Sequence, residues 1–146
     1  MNLPRIAVLL ALLIAATTVA ACSTQEAADT VFKAAATGRT WQWTASTTKS
    51  PASQSVVPDP QNYTVTFNAD GTYTGTADCN QVNGTYSVSD SGITIEPGAS
   101  TMAACGDTSM DAQFLAGLAT AKQASFQSDT MTLTNAAGDT MTFSRG

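Results

Sequence analysis

The 146 residues predict a mainly β fold: a small antiparallel, barrel-like meander of about seven or eight strands with one α-helix packed against it. Three observations lead there. Seven segments alternate apolar and polar side chains with period two, as strands with one buried and one solvated face do. The breaks between them carry Asn, Asp and Gly in hairpin order. A single later segment repeats apolar residues at helical spacing.

The chain opens outside that fold. Arg5 precedes an uncharged apolar run from Ile6 to Ala16, and small residues lead from Thr17 to Ala21. Residues 1–21 therefore read as a secretory signal peptide, too short in its apolar core for a transmembrane helix. Val19-Ala20-Ala21-Cys22 resembles the bacterial lipobox, in which the cysteine is acylated, palmitate included, and becomes the first mature residue. The competing reading is ordinary cleavage near Ala21 with a free Cys22. Two or more acyl chains on one residue anchor a protein stably, so lipid on Cys22 implies an exported chain held at the cell membrane or envelope.

Residues 22–38 are rich in Ala and Thr, with Ser23 and Gln25, and read as a lipidated N-terminus and tether, with a weak helical tendency around Glu26 to Ala36. If flexible, such a tether spans about 20–24 Å. The domain proper is expected over 39–146. Strand signals fall at Trp41 and Trp43, at Tyr63, Val65 and Phe67, and at Tyr73, Gly75 and Ala77. They continue at Tyr86 and Val88, Ile93 and Ile95, Met131 and Leu133, and Met141 and Phe143. Threonines fill most of the outward positions, where a strand former must also suit water. Asn68–Gly71, Asp90–Gly92 and Asn135–Asp139 supply the turns. Ser46 to Gln61, with Pro51, Pro58 and Pro60, reads as a long loop. Thr108-Ser-Met-Asp111 has the form of a capping box, and Met110, Phe114, Leu118 and Ala121 then share a helix face, with Leu115 beside them. A barrel closed in the lipocalin-like manner would hide the edges of so many strands, and the helix would cover one open end.

Composition excludes several chemistries. There is no histidine, which removes Ser-His and Cys-His pairs and most zinc and copper sites. The net charge is −5; removing the leader with Arg5 leaves five basic and eleven acidic side chains, or −6. No basic cluster exists for nucleic acid. An acidic body is not drawn to an anionic bilayer, so membrane association falls to the lipid. The carboxylates are scattered, and none shows calcium-loop spacing. Asp78 reads as a solvated or backbone-bonded residue. No catalytic, metal or cofactor residues are assigned.

With Cys22 given to lipid, Cys79 and Cys105 remain as a pair in a disulfide-permissive setting; two buried free thiols are the alternative. They flank the least ordinary part of the chain: Gly75-x3-Cys79-Asn80-x3-Gly84-x-Tyr86, followed by Thr101-Met102-x-x-Cys105. Asn80 and Gly84 read as residues for tight turns or left-handed backbone, and Tyr86 as the start of the next buried face. Together with Phe114-Leu-x-x-Leu118, these motifs resemble the META-domain, or HslJ-like, family over about Arg39 to Ser144. Two positions depart from that pattern: Asp78 stands where glycine is common, and Asp111 where glutamate is. The resemblance implies a small barrel-like domain with one helix, often membrane-anchored, with an envelope or stress-related role and no established catalysis. The expectation is a non-enzymatic, monomeric envelope lipoprotein that binds a protein or another envelope component. Two alternatives are a carrier of a small apolar ligand and an envelope-displayed inhibitor of a secreted enzyme such as a lysozyme. Against the carrier, Trp41, Trp43, Tyr63, Phe67, Phe114 and Phe143 would fill so small a barrel.

Overall fold

The computed structural model describes residues 20–146, with the side chains of 20–24 outside the description. The expected leader therefore lies almost wholly outside the described residues; of the expected lipobox, Val19 lies outside, and of Ala20, Ala21 and Cys22 only the backbone place in a helix is given.

Eight strands form a nearly closed antiparallel barrel. In chain order they are β1 (Thr40–Lys49), β3 (Tyr63–Phe67), β4 (Thr72–Ala77), β5 (Asn80–Ser89), β6 (Gly92–Ser100), β7 (Ala121–Gln127), β8 (Thr130–Asn135) and β9 (Thr140–Arg145). A ninth, β2 (Ala52–Val56), pairs only with the distal half of β1. The spatial order is β6-β5-β4-β3-β1-β9-β8-β7. First and last strands pair, so the seam falls in the middle of the chain, between β6 and β7. The two edges meet closely there: a Cβ on Gly92 would sit 1.9 Å from the Lys122 carbonyl oxygen.

All seven anticipated strand segments are present, and their inward residues form the core. Trp41, Trp43, Val65, Phe67, Tyr73, Met131, Leu133 and Phe143 are essentially inaccessible. The anticipated turns hold too, with Gly71, Gly92 and Gly138 at positive φ. Two further strands appear. The proposed loop of 46–61 is instead the end of β1, a turn through the cis Ser50–Pro51 bond, β2, and a short 3₁₀ turn, Pro60–Asn62. β2 carries no apolar alternation because its side chains face water or the neighbouring polar strand. β7 was hidden for a related reason, since only Ala121 is fully buried and Ala124 and Phe126 are half-buried.

The larger correction concerns the tether. Ala20–Ala36 is a 17-residue helix, α1, docked on the barrel. Phe32 and Ala36 are buried, and the Phe32 ring packs on Phe67, Tyr86 and Phe126 at 5.3–5.6 Å between centroids. Its C-terminal carbonyls are taken up in turn. The Trp41 indole donates to the Ala36 carbonyl at 3.0 Å, and the Arg39 guanidinium donates to the carbonyls of Ala34 and Ala35. Gly38, at φ 69, ends the helix in the left-handed region that favours glycine. The weak helical tendency read around Glu26 to Ala36 is thus part of a longer helix, whose docking through one narrow apolar contact a polar composition concealed.

The second helix, α2 (Asp111–Thr120), buries Phe114 and Leu118 as anticipated, with Met110 and Leu115 packed alongside. Ala121 is buried as well, but as the first residue of β7. The capping box does not form: Met110 holds the N-cap, its amide donates to the Tyr63 hydroxyl at 2.9 Å, and Ser109 accepts from the Asp111 amide. Phe114 packs on Trp43, Tyr63 and Phe143. Since Tyr63 and Phe67 are the two ends of β3, α2 and α1 cover opposite ends of the barrel. Among the described residues no helix is long and apolar enough to cross a membrane.

Candidate functional site

The two motifs singled out by the sequence meet at one rim of the barrel. β4 and β5 join through a two-residue turn, Asp78-Cys79, with Ala77 opposite Asn80. Asp78 has φ 58, the first position of a hairpin turn where a positive φ favours glycine. Aspartate is among the few side chains that tolerate that backbone.

From Asn80 onward the assignments change. Neither Asn80 nor Gly84 makes a turn; both lie within β5. Asn80 is 5% exposed and uses its amide as a peptide group would be used, extending the β5–β6 ladder past its end. Its Oδ1 accepts from the Ala103 amide at 2.8 Å and the Thr101 hydroxyl at 3.0 Å. Its Nδ2 donates to the Ala103 carbonyl at 3.1 Å and lies 3.2 Å from Cys105 Sγ. The Thr101 hydroxyl in turn accepts from the Gln81 amide at 2.9 Å, while the Thr101 amide donates to the Gln81 carbonyl.

Cys79 and Cys105 are joined by a disulfide, with Cα atoms 5.4 Å apart. The glycines serve close approach, not turning. A Cβ on Gly75 would fall 2.0 Å from the Thr64 carbonyl oxygen, and one on Gly84 would fall 2.2 Å from that of Glu96. Tyr86 is buried as read, and its hydroxyl donates to the Asn68 carbonyl at 2.6 Å.

What this apparatus holds is a segment without charge, residues 97–105, the end of β6 and the loop that follows it, exposed along nearly all its length. Met102 stands at its centre, 94% exposed, between two residues whose backbones are fixed. Sequence reasoning gave Met102 a structural role in the motif.

Among the concave regions elsewhere on the described residues, two border the core. A cleft of about 230 Å³ between α2 and the sheet is lined by Trp43, Ala116, Leu133 and Met141, with Asp139 at its side. The side-chain amide of Asn135 and the Lys49 amide bond the Asp139 carboxylate and hold it below its usual range. A groove of about 670 Å³ runs between α1 and the β6–β7 seam, with Val31, Phe32, Val88, Ile93 and Phe126 among its walls. Among the described residues no group of three His, Cys, Asp or Glu side chains could hold a metal ion.

Similarity to known proteins agrees with this layout. No curated protein matches the chain. Several solved structures share the fold, and two of them illustrate the similarity. One is a DUF4847 family protein from Bacteroides vulgatus, 20% identical with TM-score 0.59, covering 78% of this chain and 96% of its own. The other is a protein from Burkholderia xenovorans, 22% identical with TM-score 0.64, covering 82% and 87%. The META domain family model matches residues 34–146, beginning within α1 and taking in every strand and the whole Asn80 clamp. The chain belongs to the META domain family.

Proposed function

We propose that this protein is a non-enzymatic lipoprotein of the bacterial cell envelope, anchored through acylated Cys22, whose META domain binds a protein or another envelope component. The observation that supports this reading is Met102. A single exposed apolar side chain is ordinary on a protein surface. Here, however, a disulfide, a buried asparagine and a threonine are all committed to fixing the loop that carries it. A loop held rigid before binding loses less conformational freedom on association, which favours recognition. A role in envelope stress fits a module that acts through contact and not turnover.

The test is to place a photoreactive residue at position 102 in the full-length protein and irradiate intact membranes. A discrete adduct is expected from position 102 and none from Val56, an exposed apolar control on β2. Equal labelling from both positions would remove the proposed surface. Cys22→Ser is expected to move the protein from the membrane to the soluble fraction; unchanged partition would sink the anchor.

The cleft of about 230 Å³ beside α2 favours a second reading, as a carrier. It is smaller than the roughly 300–1,000 Å³ typical of ligand sites, so its occupant would be a small apolar molecule. Inhibition of a basic secreted enzyme, such as a lysozyme, draws support only from the acidic charge and falls if micromolar protein leaves lysozyme activity unchanged.

A further inference from the structure

The methionines of this domain differ sharply in their exposure to solvent. Met131 is fully buried and Met141 is 6% exposed, bordering the cleft beside α2. Met110 packs partly against the core at the start of α2. Met102 is 94% exposed, on a loop whose neighbours Thr101 and Ala103 are tied to Asn80 and Gln81. Its thioether has no core to shelter it. The loop also cannot fold over it, because the clamp fixes the main chain on both sides. No charged residue lies between Pro97 and Cys105.

We propose that Met102 is a modification site, oxidised selectively to methionine sulfoxide by a peroxide while the domain stays folded. The sulfur lone pair attacks one oxygen of hydrogen peroxide, the O–O bond breaks, and the leaving hydroxide takes up the remaining proton as water. Sulfur loses two electrons and the peroxide gains them. The product is a polar, chiral side chain that sulfoxide reductases can reverse. At Met131 or Met141 the same change would put a polar group among buried residues; at Met102 it alters only the surface. This site depends on exposure and the clamp alone, and holds whether or not the loop contacts a partner.

The experiment exposes the full-length protein in detergent to graded hydrogen peroxide, quenches with free methionine, and maps the added oxygen by tandem mass spectrometry. Met102 is expected to be oxidised about tenfold or more faster than Met110 or Met141, with Met131 slowest, because buried thioethers react only as the structure opens. In guanidinium the four rates should converge. The Met102→Leu variant should lose the fast phase and leave the other three rates unchanged. After one oxygen per molecule, the thermal midpoint should move by less than about 2 °C, a shift worth under 1 kcal/mol for a domain of this size. Oxidation of Met110, Met131 or Met141 at the Met102 rate in the folded protein overturns the proposal, and so does unfolding that accompanies the first oxygen.

Discussion

Asn80 shows how much one side chain can decide. Its amide satisfies both polar groups of Ala103 and the Thr101 hydroxyl, in a position almost closed to water. Asn80→Ala would leave those groups unpaired beside a cavity, and should cost about 2–3 kcal/mol in denaturant unfolding. A loss below about 0.5 kcal/mol would mean that the loop is held without it. Aspartate at this position would keep the acceptors but lose the donor to Ala103, so it should not restore stability. The turn carboxylates act at the same scale. Asp70 is held below its usual range first by the Thr72 hydroxyl and then by the Thr72 amide, and Asp139 by Asn135 and Lys49. For a depressed carboxyl, the unfolded chain takes up protons first. The stabilisation is therefore complete above the ordinary carboxylate range near pH 4 and is lost as pH falls through it. The thermal midpoint of the double variant Asp70→Asn, Asp139→Asn should thus decline less between pH 5 and pH 3 than that of the parent, both ranges set by the ordinary carboxyl value. Parallel pH curves would contradict the assignment.

At the scale of elements, α1 is the feature with the most to lose. Phe32 is its main anchor, meeting three aromatic rings from β3, β5 and β7. Phe32→Ala should cost about 3–5 kcal/mol if the helix and barrel unfold together. If they separate, the helix amides should lose hydrogen-exchange protection while those of β1 and β9 keep theirs. Full protection with unchanged stability would show that α1 is held elsewhere. The strands that were readable display Trp, Tyr, Phe, Val, Ile, Leu or Met on alternate positions, mostly against threonine. β2 and β7 escaped because Ser, Gln and Ala fill the positions that would have marked them. α1 was legible only as a weak helical tendency around Glu26 to Ala36; its docking was not, because one phenylalanine and a few alanines suffice when the receiving surface is aromatic, and such complementarity is invisible along a single segment. Within the site, the cysteine pair and the motif residues were legible. The direction of Met102, and the bonding of Asn80 to a loop more than twenty residues away, depend on how β5 and β6 lie together.

For the molecule as a whole, the disulfide closes the stretch containing β5, β6 and the turn between them. Replacing Cys79 and Cys105 by alanine removes a cross-link around 25 intervening residues and should cost about 3 kcal/mol by chain entropy. The barrel should survive, since its remaining pairings are untouched, but the 97–105 loop should become the first site of limited proteolysis. Resistance equal to the parent would place the loop's rigidity in Asn80 alone. The docking of α1 has a different bearing on how the domain meets its surroundings. Cys22 lies on the same helix as Phe32, ten residues or about 15 Å ahead along its axis. With Cys22 acylated, the domain is a rigid body on a short stalk, not a weight on a slack line. Its approach to the bilayer is then governed by one angle at the lipid, and fluorescence anisotropy of a label on the barrel should report slow, restricted rotation that Phe32→Ala sets free.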